Sequence, residues 1–368
     1  MFELHLHKRA IPYVCNLIFP NLDMTGKRLI LPDVLKGVAV VLMIQVHITE
    51  LFATEAFYNS MAGRISLFLG GVPAAPVFMA VMGYFIAKSG SGTMLLIMRG
   101  MKLIVYGFLL NIGLNLHLFY RILMGELALD PLPYLFGVDI LFLAGLSIIV
   151  IASLRLAFRE NLILWLLIML ITAFAASQFT SENIENTWRT YVLAYFYKAT
   201  WWSYFPLIPW LAYPLAGYCL KLISYKYFNL EFSNRKLAIT AFLILIPVLV
   251  FFPYGFIIST DLQAYYHHSI TYFLWALLFI GLWAIVFYML IIYLPENPVM
   301  KFLQWTGLNV TAFYVFQWLI IGNLATVVYK TVEPEFLFLW FACVLAASAT
   351  LVWLWTNRKK WIKIFENH

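Results

Sequence analysis

Lys36, then ten residues, then His47, with Glu50 three further on, is the first constellation in this sequence equipped for chemistry. A glutamate three residues after a histidine shares its face of a helix. There it holds one imidazole nitrogen and raises the basicity of the other, as a general base requires. Asp139 is a second carboxylate in an apolar run, where an unpaired charge is costly, so it needs a partner whether its duty is catalytic or structural. Lys36, Arg28, Arg99 and Lys102 offer positive charge to an anionic ligand, although membrane topology alone also produces basic rims. Asn115, His117, Trp202, His267, His268 and Gln317 are candidates for contact with a second substrate, and Tyr84 is a further hydrogen-bond donor. The bland alternatives stand beside these. A lone histidine such as His117 or His267 is more often a satisfied interhelical group; the His267–His268 pair also reads as a solvated loop, and no remaining ligands for a metal accompany it.

The elements that must position these groups are set by composition. With 64% apolar and 11% charged residues in 368, the chain lies far from soluble domains, where charged residues are about a quarter. It reads as an all-α, polytopic membrane bundle. Ten apolar spans of about 20 residues each are expected at 29–52, 66–88, 93–116, 132–154, 161–178, 204–223, 237–258, 270–294, 300–328 and 336–355. The opening segment 1–27 lacks a cleavable signal pattern and reads as interfacial and cytoplasmic; 28–357 forms the membrane domain and 358–368 a basic cytoplasmic tail. Cys15, Cys219 and Cys343 are too far apart for a disulfide framework or a metal motif.

Lys and Arg test the count independently. With the N-terminus inside, 18 of the 24 fall in cytoplasmic segments and five outside, and Lys36 lies within the first span. That bias alternates at every span and places both termini in the cytoplasm. The net charge of +7 is then a consequence of topology, and nucleic acid is not the expected partner. On this topology the outer ends of the spans gather His47, Glu50, Glu55, Asn115, His117, Asp139, Trp201, Trp202, Asp261, His267 and His268. Asp139 follows Pro133 by six residues, so a helix entering from outside carries it about 9 Å inward, to the depth of His47. Pro73 and Pro76 kink the second span, and Pro206, Pro209 and Pro214 make the outer half of the sixth irregular, a form tolerated where backbone lines a cavity.

The Lys36-x10-His47 pair resembles the arginine-x10-histidine signature of the membrane-bound acyltransferase-3 proteins, with lysine for arginine. PDVLKGVAVVLMIQVH, PAAPVFMAVMGYF, FGVDILFLAGLSIIV, FPLIPWLAYPLAGY and GLNVTAFYVFQWLI, in that order along the chain, are more similar to the heparan-α-glucosaminide N-acetyltransferase-like membrane proteins. Gln317 stands where many relatives carry histidine. The resemblance implies a bundle of ten or eleven helices that moves an acyl group, most often acetyl, from cytosolic acyl-CoA to a hydroxyl or amine of a glycan or lipid on the far side. It implies that His47 is catalytic and that Lys36 belongs to the donor side. A homodimer and a bacterial inner-membrane location are compatible with this reading. Two other classes stay open: a transporter, whose broken helices and buried His and Asp line a substrate path, and a non-catalytic subunit of a larger membrane complex.

Overall fold

The computed structural model describes residues 30–178, 187–227, 234–294 and 297–366 of the chain. Arg28 and Cys15 lie outside the described residues. The elements are helices α1 (Ile30–Leu51), α2 (Met61–Gly71), α3 (Ala75–Lys88), α4 (Thr93–Leu114), α5 (Leu116–Leu123), α6 (Ile140–Phe158), α7 (Leu162–Ala175), α8 (Trp188–Ala194), α9 (Ala212–Tyr227), α10 (Asn234–Val250), α11 (Phe252–Thr260), α12 (Ile270–Tyr293), α13 (Pro298–Leu308), α14 (Val310–Val328) and α15 (Pro334–Glu366), joined by loops and single helical turns. Among the described residues, extended pairing is limited to two isolated bridges. A membrane span must satisfy its own backbone, and helices do so within the segment.

Among the described residues, eight helices are long and apolar enough to cross a membrane, with α2 and α3 counted as one span. The expected seventh span is broken: α10 and α11 meet at 64°. Pro247 lies inside α10, where it removes a helical hydrogen bond, and Pro253 sits in the first turn of α11, a position that proline favours as the start of a new helix. The fifth expected span is the 14-residue α7, about 21 Å long against a hydrocarbon core of about 30 Å. Two further expectations are corrected. The fourth span does not start at 132; a single turn, Leu132–Leu135, precedes irregular backbone, and the helix begins only at Ile140. The ninth divides at Asn309, whose φ of −110° leaves the helical region between α13 and α14.

Burial identifies the centre of the bundle. In α1, in α2–α3 and around α9, 61% of the apolar window is inside the protein, against 17% in α12 and 22% in α4, α14 and α15. The last three show their large apolar side chains, such as Leu109, Val327 and Phe338, to the surroundings. Close approach fixes the central helices: a methyl on Gly37 would overlap the Leu303 carbonyl, and one on Gly307 the Asp33 carbonyl, so α1 and α13 touch backbone to backbone. Gly83 and Gly217 join α3 to α9 in the same way, against the carbonyls of Pro214 and Ala80. Beside them a polar seam ties α1 to α2: Gln45 donates to Ser66, and Ser66 Oγ donates to Thr49 Oγ1 at 2.6 Å.

Candidate functional site

At the end of the bundle formed by the C-terminal end of α1 lies a cavity of about 830 Å³ into which His47, Glu50 and Asp139 all open. His47 Nδ1 is 3.3 Å from Glu50 Oε2, as the i,i+3 spacing on α1 requires, and the two side chains are only 14% and 15% exposed. A carboxylate on Nδ1 favours the tautomer that carries its proton there and leaves Nε2 free as a base. The Trp318 ring lies 4.1 Å from the imidazole, tilted by 40°, and restricts its rotation.

Asp139 reaches the same cavity by a different route from the one its sequence position suggests. It is not inside a helix; it is the N-cap of α6, accepting from Leu141 N at 2.7 Å and from the Tyr314 hydroxyl at 3.0 Å. The irregular stretch before it is held from two sides. Buried Asn111 donates through Nδ2 to the carbonyls of Leu135 and Gly137 at 2.9 and 2.8 Å. Val138 exchanges backbone hydrogen bonds with Trp202 and Phe205, at 2.8 and 3.0 Å. Asn115 Nδ2 donates to Tyr134 O at 3.3 Å and to Asn111 O at 2.9 Å, and its side chain lines the cavity. Non-helical backbone at this depth is tolerated only with such partners.

The structure joins Asp139 and His47 through α14: Tyr314 and Trp318, one turn apart, both line the cavity, the first on Asp139 and the second on His47. Gln317 is turned away from it, fully buried on the face that carries Phe313 and Ile321 against α1 and α15. Trp202 is also displaced from its expected role. It is 1% exposed and stacks on Tyr191 at 5.1 Å, while its neighbour Trp201 lines the cavity. His117, His267 and His268 do not line it. His117 donates its backbone N–H to Asn323 Oδ1. His268 is an internal strut: Nδ1 donates to Tyr265 O at 2.8 Å, and Nε2 accepts from the Tyr213 hydroxyl at 3.1 Å. Burial pushes its pKa down to about 4, so it is neutral at physiological pH.

The residues expected on the donor side are at the opposite end of α1 and beyond. Lys36 carries its own counter-ion, with Nζ 2.8 Å from Oδ1 of Asp33, which is 2% exposed. Arg99 and Lys102 are exposed on α4, and Arg99 Nη1 donates to Ser91 Oγ. The cavity mouth has charges of its own: Lys330 Nζ lies 3.5 Å from Glu55 and 3.7 Å from the centre of the Tyr58 ring. Asn111, Tyr314 and Trp318 were not singled out as site residues from the sequence. The only available signal was the i,i+4 pair of aromatics flanking Gln317, which reads equally as core. Among the described residues no group of three or more His, Cys, Asp or Glu is arranged to hold a metal ion.

Residues 28–237 match the family described as Heparan-alpha-glucosaminide N-acetyltransferase, catalytic. No curated protein and no solved structure matches the chain. The matched stretch contains His47, Glu50, Asn111 and Asp139 and ends before α14, so Tyr314 and Trp318 are contributed from beyond it.

Proposed function

The chain belongs to the heparan-α-glucosaminide N-acetyltransferase catalytic family, and from that premise we propose that it moves an acyl group, acetyl first, from cytosolic acyl-CoA to a hydroxyl or amine of a glycan or lipid acceptor at the His47 cavity. The observation that carries this reading is the His47–Glu50 pair inside a cavity large enough for an acceptor group. Lys and Arg distribution supports a cavity on the outer face of the membrane, with both termini inside.

On this reading the acceptor nucleophile attacks the thioester carbonyl while His47 Nε2 takes its proton, and Glu50 stabilises the resulting imidazolium. The new C–N or C–O bond forms as the C–S bond breaks, and the departing thiolate receives the proton from His47. Transient acylation of the imidazole itself is the covalent variant of the same step. Asp139 does not orient the imidazole; held by Tyr314 and the α6 N-terminus, it forms the wall across from it. The aromatic lining of Tyr134, Trp201, Tyr204 and Tyr266 excludes water from the reacting centre.

His47→Ala in proteoliposomes supplied with labelled acetyl-CoA is expected to lower transfer by 10²-fold or more, the usual contribution of a general base. Transfer equal to wild type would overturn the reading. The broken α10–α11 span is the one feature that favours a transporter instead. Substrate flux that persists in His47→Ala without any acyl transfer by wild type would decide for it.

A further inference from the structure

We propose that the acceptor that reaches His47 is an amphiphile of the outer leaflet: its hydrocarbon part rests against α5, and its polar end enters the cavity between α5 and an aromatic mouth. The inference rests on the acyl transfer proposed above and narrows its acceptor, from any glycan or lipid, to one carried on a lipid chain.

At eight residues α5 is too short to cross a membrane, being about 12 Å long. It follows α4 after a break at Asn115, whose φ of −104° leaves the helical region. Its two faces differ. Leu116, Tyr120 and Leu123, at i, i+4 and i+7, are exposed, Leu123 by 83%. Leu118 and Arg121, on the opposite side, line the His47 cavity. A short helix with a bare apolar face at the end of a membrane bundle lies in the plane of the interface, with that face at the boundary of headgroups and acyl chains. Hydrogen bonds from α14 keep it there. Asn323 Oδ1 accepts from His117 N and Asn323 Nδ2 donates to Gly113 O, both at 2.9 Å, and Arg121 Nη1 donates to Thr326 O at 2.9 Å. The helix is therefore a wall one residue layer thick, with bilayer on one side and the cavity on the other.

The mouth beside this wall is apolar as well. Leu129, Trp201, Tyr204 and Tyr329 line the cavity and are also exposed. Trp and Tyr gather at the level of the headgroups, which sets the mouth there rather than in bulk water. Charge does not select the headgroup: the mouth cations Lys330 and Arg121 are each paired with a carboxylate, Glu55 at 3.5 Å and Glu126 at 2.9 Å. A hydrocarbon tail gains little from contact with α5, since lipid is equally apolar. What it gains is entry without leaving the bilayer, a cost that grows with every CH₂ withdrawn into water. Aromatic rims also stack on sugars, but a free sugar has no use for the outward face of α5.

The test compares methyl and hexadecyl glucosaminide, which offer both an amine and hydroxyls, as acceptors for labelled acetyl-CoA at the same total concentration. The full chain is used, in phosphatidylcholine proteoliposomes. The hexadecyl compound is expected to be acetylated about tenfold faster or more, because its chain holds it in the bilayer beside the mouth. Leu123→Glu/Met124→Glu puts charge on the outward face, and the hexadecyl-to-methyl ratio should fall about fivefold or more. Both side chains are exposed, so little packing is lost. Leu116→Gln/Tyr120→Gln gives the same readout on the same helix should the first variant fold poorly. The ratio reads entry, since damage to the reacting centre lowers both rates together. Equal or faster transfer to methyl glucosaminide by wild type overturns the inference and leaves the acyl transfer standing. So does a ratio unchanged in both variants. Absence of transfer to either acceptor by wild type overturns the proposed function, and the inference with it.

Discussion

The Tyr314 hydroxyl donates to Asp139 Oδ2 at 3.0 Å, and one turn further along the same helix the Trp318 ring lies 4.1 Å from the imidazole of His47. One face of α14 therefore spaces the carboxylate and the base across the cavity. Tyr314→Phe deletes that hydrogen bond without emptying volume, and is expected to cost about 1 kcal/mol, or 1.5–3 if Asp139 is charged. The check is a double-mutant cycle with Asp139→Asn by thermal unfolding, in which the double variant should lose less than the sum of the two single losses. Full additivity would mean that the pair is not coupled.

Glu50 Oε2 lies 3.3 Å from His47 Nδ1. Glu50→Gln keeps a hydrogen-bond acceptor but removes the charge that stabilises the imidazolium, so kcat is expected to fall about 10- to 100-fold, one to two increments of 1.36 kcal/mol. KM for the donor should stay within about twofold, since the substitution keeps the size and hydrogen bonding of the side chain. An equal fall in the His47→Ala background would show that Glu50 works by another route.

Asn111 is a structural support for the site rather than a reactant. Its two N–H groups satisfy the Leu135 and Gly137 carbonyls, which no helix can satisfy in that irregular stretch. Asn111→Leu should destabilise by about 2–4 kcal/mol, taking 1–3 kcal/mol for each buried group left unpaired and allowing for partial relaxation. Acyl transfer should fall with it, because Asp139 follows directly from that stretch. A stable Asn111→Leu protein with wild-type transfer would refute this assignment.

Crossing backbones give a sharper stability test. Gly37→Ala, Gly307→Ala, Gly83→Ala and Gly217→Ala each place a methyl against a neighbouring carbonyl, whereas Gly90→Ala meets nothing within 4 Å. The first four are expected to lower stability by about 1–3 kcal/mol through overpacking, seen as lower melting temperature in detergent. Gly90→Ala should be close to neutral.

What the sequence disclosed follows a physical divide. Spans, their order and the His47–Glu50 pair depend on short-range periodicity and hydropathy, and these are written in consecutive residues. The start of α6 is not, because FGVDILF is apolar but for Asp139; the residues before the helix are irregular on account of Asn111, more than 20 positions earlier, and Trp202, more than 60 later. Trp201 and Trp202 are adjacent and alike, and only the bridge between Val138 and Ser203 decides which one meets the cavity. Gln317 was the polar residue that stood out in α14, yet the cavity takes Tyr314 and Trp318, one helical face over. The side of a helix that meets a cavity is a property of its neighbours.

His268 provides a prediction in pH. It is enclosed by Trp210, Tyr213 and Tyr272 and bonded to Tyr265 O, and among the described residues the cationic group that acts on it is His267, itself pushed down by burial to about 4. In the unfolded chain both histidines titrate near 6.5. Folding therefore disfavours the protonated forms, and the unfolded state binds more protons wherever the pH lies between these values. Stability is complete above about pH 6.5 and should fall as pH drops from there towards about 4, where the folded state also takes up protons. Melting temperature in detergent, measured from pH 7.5 to 4.5, should decline in wild type. His268→Gln cannot charge and keeps some hydrogen bonding through its amide; it should start lower at pH 7.5 and decline less steeply. Parallel curves for the two proteins would show that His268 is not the group responsible.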